Sequence, residues 1–315
     1  MTTVLLGTDD GITAIDTTTN GGKTSNGATR SELSGRAVTH LGRGPEGWWA
    51  VADGRELLRR DTSAAWEPVV RAASRVTCVL PVAGGALTGS DDGRLLRVYE
   101  GALVPVTGFD AVEGRADWHA VGSRTPYVRS LTTTADAQVV LANVHVGGIP
   151  RSGNGGASWA PTIDIEADVH EVRAHPTDPT RVMAVAAVGI AESRDAGVTW
   201  SISTEGLHAT YARAVAFTTA AVLVSVSDGP FTKRGALYRR PISHGDEHPV
   251  AERCTEGLPE WLAGNIDTGS LDAHGEHAAF ADADGNLYAS NDTGHSWQHL
   301  TTIPTIHAVG VLDEE

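Results

Sequence analysis

Seven short stretches that interleave β-branched and other apolar residues with polar ones recur along the chain: AVTHLGR from 37, VTCVLPV from 76, VRSLTTT from 128, VHEVRAH from 169, ARAVAFT from 212, DTGSLDA from 267 and IHAVGVL from 306. Each is strand-length, all but DTGSLDA contain β-branched strand formers in number, and none extends into the 3.6-residue periodicity of a long helix. They align on one apolar position, Leu41, Val79, Leu131, Val172, Val215, Leu271 and Val309, and so read as the first strands of seven repeated units. With 36 glycines and 14 prolines among 315 residues, the chain has the frequent turns that many short strands require.

An eight-residue motif marks the same repeat. Ser152-Gly-Asn154-Gly-Gly156-Ala-Ser-Trp159, Ser193-Arg-Asp195-Ala-Gly197-Val-Thr-Trp200 and Ser290-Asn-Asp292-Thr-Gly294-His-Ser-Trp297 share the pattern S-x-D-x-G-x-x-W, with Asn in place of Asp in the first. The acid or amide caps a tight turn, the glycine takes positive φ, and the tryptophan covers the turn's apolar flank. Weaker copies end at Ser25 and Trp66. The five ends, 25, 66, 159, 200 and 297, are separated by two spacings of 41 and two of about twice that, which leaves two unmarked units and gives seven in all. At about 45 residues per unit the repeat falls in the range of propeller blades. The reading is therefore an all-β, seven-bladed β-propeller over residues 1–315 as one domain. Its first blade, begun by VLLGTDD and GITAIDT, is completed by the strand at 306–312, and this closure pairs the N- and C-terminal strands.

On those three motifs the chain resembles the Asp-box (BNR repeat) propellers, a superfamily that includes sialidases, xyloglucanases, sortilin-type receptors and photosystem II assembly factors. The resemblance implies the fold, and it implies that the motif turns lie on the side away from the working face. It does not imply a particular activity. The sialidase pattern itself is not met: there is no F-R-I-P segment in the first blade, no third channel arginine, and only Tyr211 with Glu171 to stand for its tyrosine and glutamate.

Charge narrows the partners. The formal net charge is −15, and no basic stripe is visible, which excludes nucleic acid. Lysine occurs only at 23 and 233. The opening MTTVLLGTDDG lacks a charged n-region and an apolar h-region, no apolar run nears the ~18 residues of a membrane span, and Cys78 and Cys254 are remote from each other. A cytoplasmic protein without a membrane partner is expected.

The candidate chemistry gathers at one position of the repeat. Two residues before the aligned apolar residue stand His307, Thr39, Thr77, Arg129, His170, Arg213 and Gly269. Four ionisable side chains there are costly in a narrow channel unless a ligand, water or a counter-charge such as Asp168 or Glu171 compensates. The same expected face carries His145 in the hairpin VHVGG, turn acids at Asp9, Asp10, Asp228, Asp282 and Asp284, and two long connections bringing Trp118, His119, Tyr127 and Trp261, with Tyr211 placed as Tyr127 is.

Three readings follow. In the first, Arg129 and Arg213 bind an anionic small molecule or peptide terminus, His145, His170 and the aromatics shape the site, and Asp267 lies nearby. In the second, Glu171 and Asp267 supply the carboxylate pair of glycoside hydrolysis, or His170 and Glu171 serve a hydrolase or lyase. A divalent metal on His119, His145 and His170, with His175 and His307 as substitutes, is a variant of this reading. In the third, the propeller is a protein-interaction scaffold.

Overall fold

A computed structural model describes residues 2–20, 23–61, 65–243 and 249–313. Its helices are single turns, Thr107–Asp110, Arg115–Asp117 and Ile165–Ala167, and among the described residues none is long and apolar enough to cross a membrane. The rest is strand and turn: seven four-stranded antiparallel sheets, the blades of a seven-bladed β-propeller. Their first strands are Ile306–Asp313, Val38–Gly44, Val76–Val82, Val128–Thr133, Val169–Ala174, Tyr211–Phe217 and Leu271–His274 for blades 1 to 7. The weak motif copies at 18–25 and 59–66 include residues outside those described.

The chain divides into two compact units. The first, Val38–Ile202, holds blades 2 to 5. Within it the first strands of successive blades lie side by side, and apolar clusters fill the space between neighbouring sheets. Trp49, Val51, Val79 and Val98 join blades 2 and 3; Leu87, Leu131, Val140 and Trp159 join 3 and 4; Leu141, Val172, Val182 and Ala191 join 4 and 5. The middle strands are covered on both faces, as in Val140–Val144 and Val182–Ala186, where every residue is buried. Two-sided burial selects Val, Ala and Leu rather than an alternating pattern. Fourth strands such as Ser201–Ser203 are exposed.

The second unit, Met1–Ala37 with Ser203–Glu315, holds blades 6, 7 and 1. Leu223, Leu237, Leu271 and Phe280 pack blade 6 on 7, and Leu287, Val4, Val309 and Val311 pack 7 on 1. In blade 1 the C-terminal strand pairs with the N-terminal one from Thr2 opposite Asp313 to Thr8 opposite Ile306. Two strands that would otherwise be free edges satisfy each other.

One first strand starts later than its sequence suggests. The segment Asp267-Thr-Gly-Ser is a turn, with the Ser270 amide donating to the Asp267 carbonyl and Gly269 at φ 79, so blade 7 begins at Leu271. Asp followed by Gly two residues on is turn chemistry, and it overrides the strand pattern downstream.

The three full motifs form equivalent turns between third and fourth strands. Ser193 Oγ accepts from the Gly197 amide at 2.8 Å and donates to Asp195 at 2.8 Å, and Asp195 accepts from the Thr199 amide at 2.9 Å. Ser290, Asp292, Gly294 and Ser296 repeat the arrangement, as do Ser152, Asn154, Gly156 and Ser158. Trp159 and Trp297 each donate Nε1–H to the carbonyl of the motif glycine at 3.1 Å, while Trp200 donates to Thr162 Oγ1. Entry to the first strand and the hairpin between second and third strands lie at the opposite end of each blade, and the candidate residues are there.

Candidate functional site

The aligned position is a β-bulge. The register against the second strand shifts between Val38 and His40, Val76 and Cys78, Val128 and Ser130, and Val169 and Glu171, leaving Thr39, Thr77, Arg129 and His170 as the extra residues. In the other unit the shift between Ala212 and Val215 spans Arg213, and the pairing of blade 1 passes over His307. A bulge re-aims one side chain and breaks the ladder locally, so this fold repeatedly turns one residue per blade out of the regular pattern. That residue is basic in four blades.

In blades 4 and 5 two imidazoles converge on one carboxylate. Asp168 sits just past the turn Ile165–Ala167 with φ 48 and ψ 69, a left-handed conformation that Asp tolerates better than most residues. Its Oδ1 lies 3.6 Å from His145 Nε2 and its Oδ2 3.5 Å from His170 Nε2. His170 is buried and His145 nearly so. Burial alone would raise the Asp168 carboxyl, but His170 first, and then His145 and Arg129, outweigh it and hold the group below the usual carboxylate range.

The hairpin that carries His145 is itself constrained. Its amide donates to the Tyr127 carbonyl at 3.0 Å, and the Tyr127 ring meets the imidazole edge-on at 4.9 Å. The next residue, Val146, takes φ 45, an outlier for a β-branched side chain. Two non-glycine residues in left-handed backbone thus flank the imidazole–carboxylate group. Such strain persists only where the surroundings over-determine it, as they do at functional sites.

The remaining predicted side chains of this unit make other contacts. Trp118 is core: it is 4% exposed, packed on Phe109 at 5.5 Å with Arg115 over its face, and it pins the long connection into blade 4. His119 directs Nδ1 to the Asp117 carbonyl at 3.2 Å, while its amide donates to the Val146 carbonyl. Buried Glu171 accepts from Arg173 Nε at 2.9 Å. The metal trio His119, His145 and His170 does not assemble as a ligand set: the two blade imidazoles address opposite oxygens of Asp168, and His119 is turned to a backbone carbonyl. Among the described residues no group of three or more His, Cys, Asp or Glu side chains is arranged to hold a metal ion.

In the second unit each basic bulge residue has a carboxylate of its own. Arg213 pairs with Asp267 at 2.8 Å and lies over the Tyr211 ring at 5.9 Å, and His307 Nε2 lies 2.7 Å from Asp9. Asp10 accepts from the Gly35 amide and so braces the connection that leaves the blade, and Asp282 accepts from the amides of Asp284 and Asn286 and so caps its own turn. Trp261 joins a different group. Arg234 and Arg253 lie over its ring at 4.3 and 4.0 Å, and His208 packs against it at 5.1 Å. His208 Nδ1 meets the Tyr238 hydroxyl at 2.9 Å, and its Nε2 lies 3.5 Å from Asp228.

Solved structures with this arrangement of blades include an ancestral GH74 enzyme (TM-score 0.60, 12% identity, 87% of this chain and 38% of that one). YCF48 from Cyanidioschyzon merolae matches with TM-score 0.56 and 15% identity over 86% of this chain and 87% of that one. A GH74 enzyme of Niastella koreensis matches with TM-score 0.58 and 13% identity over 83% and 45%. The likeness is one of fold. This chain spans less than half the length of either GH74 enzyme, and no protein-family model and no curated protein matches it.

Of the residues expected together, Arg129, Arg213, His145 and His170 with the aromatics, Tyr127 meets His145, and His145 and His170 both approach Asp168, while Arg213 pairs with Asp267. Asp168 and Glu171 are both offered by the sequence as counter-charges; the structure places Asp168 beside the two imidazoles and turns Glu171 to Arg173. His208, Arg234 and Arg253 carry no periodic signal at all, because they lie in connections whose course depends on tertiary packing.

Proposed function

We propose that this propeller is a binding protein for an anionic small molecule or a peptide terminus, held at Arg129, His145 and His170 with Tyr127 as an aromatic wall. The observation that carries the reading is the approach of two buried or nearly buried imidazoles, His145 and His170, to the single carboxylate of Asp168, with Arg129 as the extra residue of the neighbouring blade's bulge. A carboxylate or phosphate entering this group meets a guanidinium able to bind it in a bidentate manner and two imidazoles able to donate. Asp168 offsets the charge of these side chains, which lowers the cost of holding basic groups where water is scarce. Arg213 with Asp267 and Tyr211 is a second, locally neutral place for the same chemistry.

Hydrolysis has less support, because Glu171 and Asp267 are each engaged by an arginine. The equivalent bonding of the three motif turns favours grouping the chain with the Asp-box propellers, whose working face is the one opposite those turns.

The reading is tested by calorimetric titration with carboxylates and phosphates that raise the melting temperature. Arg129→Ala is expected to weaken binding by about 10- to 100-fold, the loss of one charge-assisted bidentate contact. Ligands that bind the Arg129→Ala protein as tightly as the parent, or no thermal response to any such anion, would remove the proposal.

A further inference from the structure

A second feature of the unit formed by blades 6, 7 and 1 points outward. The hairpin between the second and third strands of blade 6 runs Asp228-Gly-Pro-Phe-Thr-Lys-Arg, and Phe231 at its tip is 98% exposed. The tip is braced: Asn265 Nδ2 donates to the carbonyls of Gly229 at 3.2 Å and Pro230 at 3.1 Å, and the Arg234 amide donates to Thr232 Oγ1 at 2.8 Å. Behind it Trp261 is enclosed by Arg234 and Arg253. Asp228 is shared between Arg234, at 3.4 Å, and His208. Among the described residues no carboxylate pairs with Arg253.

This patch opposes the character of the chain. At a net charge of −15, it gathers Lys233, one of only two lysines, with two arginines around a tryptophan and a presented phenylalanine. Guanidinium groups stacked on an indole keep their N–H edges directed outward, where they address carboxylates. A projecting ring is a knob. Small ligands need concave sites, whereas a knob needs a socket, and sockets for aromatic anchors are found at the centres of protein interfaces. We propose that the Phe231 hairpin and the Arg234–Trp261–Arg253 stack form a docking surface for a folded protein that offers an apolar socket rimmed by carboxylates. This surface is independent of the Asp168 site and is carried by different residues.

The test places a photo-crosslinking residue at the tip, Phe231→p-benzoylphenylalanine, in the cell of origin, maps the adduct, and measures the purified partner's affinity for the parent chain. The expected adduct lies in an apolar pocket flanked by Asp or Glu on a different protein. Binding should weaken on the order of 30-fold in Phe231→Ser, the scale of a hot-spot residue, and about 10-fold in Arg253→Glu, and it should fall as salt rises. Because Phe231 is nearly free of the fold, Phe231→Ser should melt like the parent, so a loss of binding cannot be assigned to unfolding. The proposal is overturned by the absence of an adduct, by an adduct to a second copy of this chain or to a basic surface, or by affinity that Phe231→Ser leaves unchanged. It is equally overturned if inorganic phosphate stabilises the protein in a way that Arg253→Glu abolishes and Phe231→Ser does not, since the stack would then be a small-anion site.

Discussion

Replacing Trp297 by alanine probes the link between the repeated motif and the blade core. The indole is 5% exposed, meets Phe280 at 5.0 Å in an edge-on arrangement, and belongs to the cluster that joins blades 6 and 7. It also donates Nε1–H to the Gly294 carbonyl at 3.1 Å. An aromatic ring of this size removes roughly 200 Å² from water, which at about 25 cal/mol per Å² is close to 5 kcal/mol as an upper bound. Measured losses for truncating buried Trp or Phe to Ala run about 3 to 5 kcal/mol. We expect about 4 kcal/mol for Trp297→Ala, read as the change in urea unfolding free energy at unchanged slope. The half-buried Trp200, which hydrogen-bonds to Thr162 rather than to its own turn, should lose about half as much as Trp297 when truncated, in keeping with its smaller burial. A loss below about 1 kcal/mol for Trp297→Ala would show that the motif tryptophan covers the turn without holding the blades together.

Two further outcomes concern the same region. Gly257 stands at φ 78 against the motif turn, and a Cβ built there would collide with the Trp297 carbonyl oxygen; Gly257→Ala should therefore cost more than the roughly 1 to 2 kcal/mol of left-handed backbone alone, measured by thermal melting. For Asp292, burial works to raise the carboxyl, but Ser296 and Ser290 outweigh it and hold it below its usual value of 3.8. The folded value being the lower, the stabilisation is present above the unfolded pKa and is lost as pH falls through the folded one. Urea titrations should show stability dropping below pH ~4, and Asp292→Asn, which imitates Asn154, should flatten that drop while preserving the turn.

Much of the fold could be read because two independent periodicities agree: the strand alternation and the spacing of the motif. The weak start of blade 7 was misplaced because an Asp-Thr-Gly turn has strand-like neighbours. The bulges left no composition signal, yet aligning the first strands on one buried residue found their extra residues, Thr39, Thr77, Arg129, His170, Arg213 and His307, because a bulge repeated at one place in the blade keeps the alignment intact. Partner choice was less legible. Asp168 and Glu171 both stood beside His170 in sequence, but the bulge turns His170 toward Asp168 while Glu171 meets Arg173. Trp118 and Trp261 both came from long connections, and only tertiary packing separates the core residue from the one stacked between arginines.

The account rests on Arg129, His145 and His170 acting together on an anion. The most direct measurement is an NMR titration of the His145 and His170 imidazole resonances against pH, with and without the tightest carboxylate or phosphate ligand. A bound anion that these groups contact must raise both titration midpoints, and affinity must strengthen correspondingly as pH falls through the imidazole range. Midpoints that do not move when the ligand is bound would place the anion elsewhere and contradict the account.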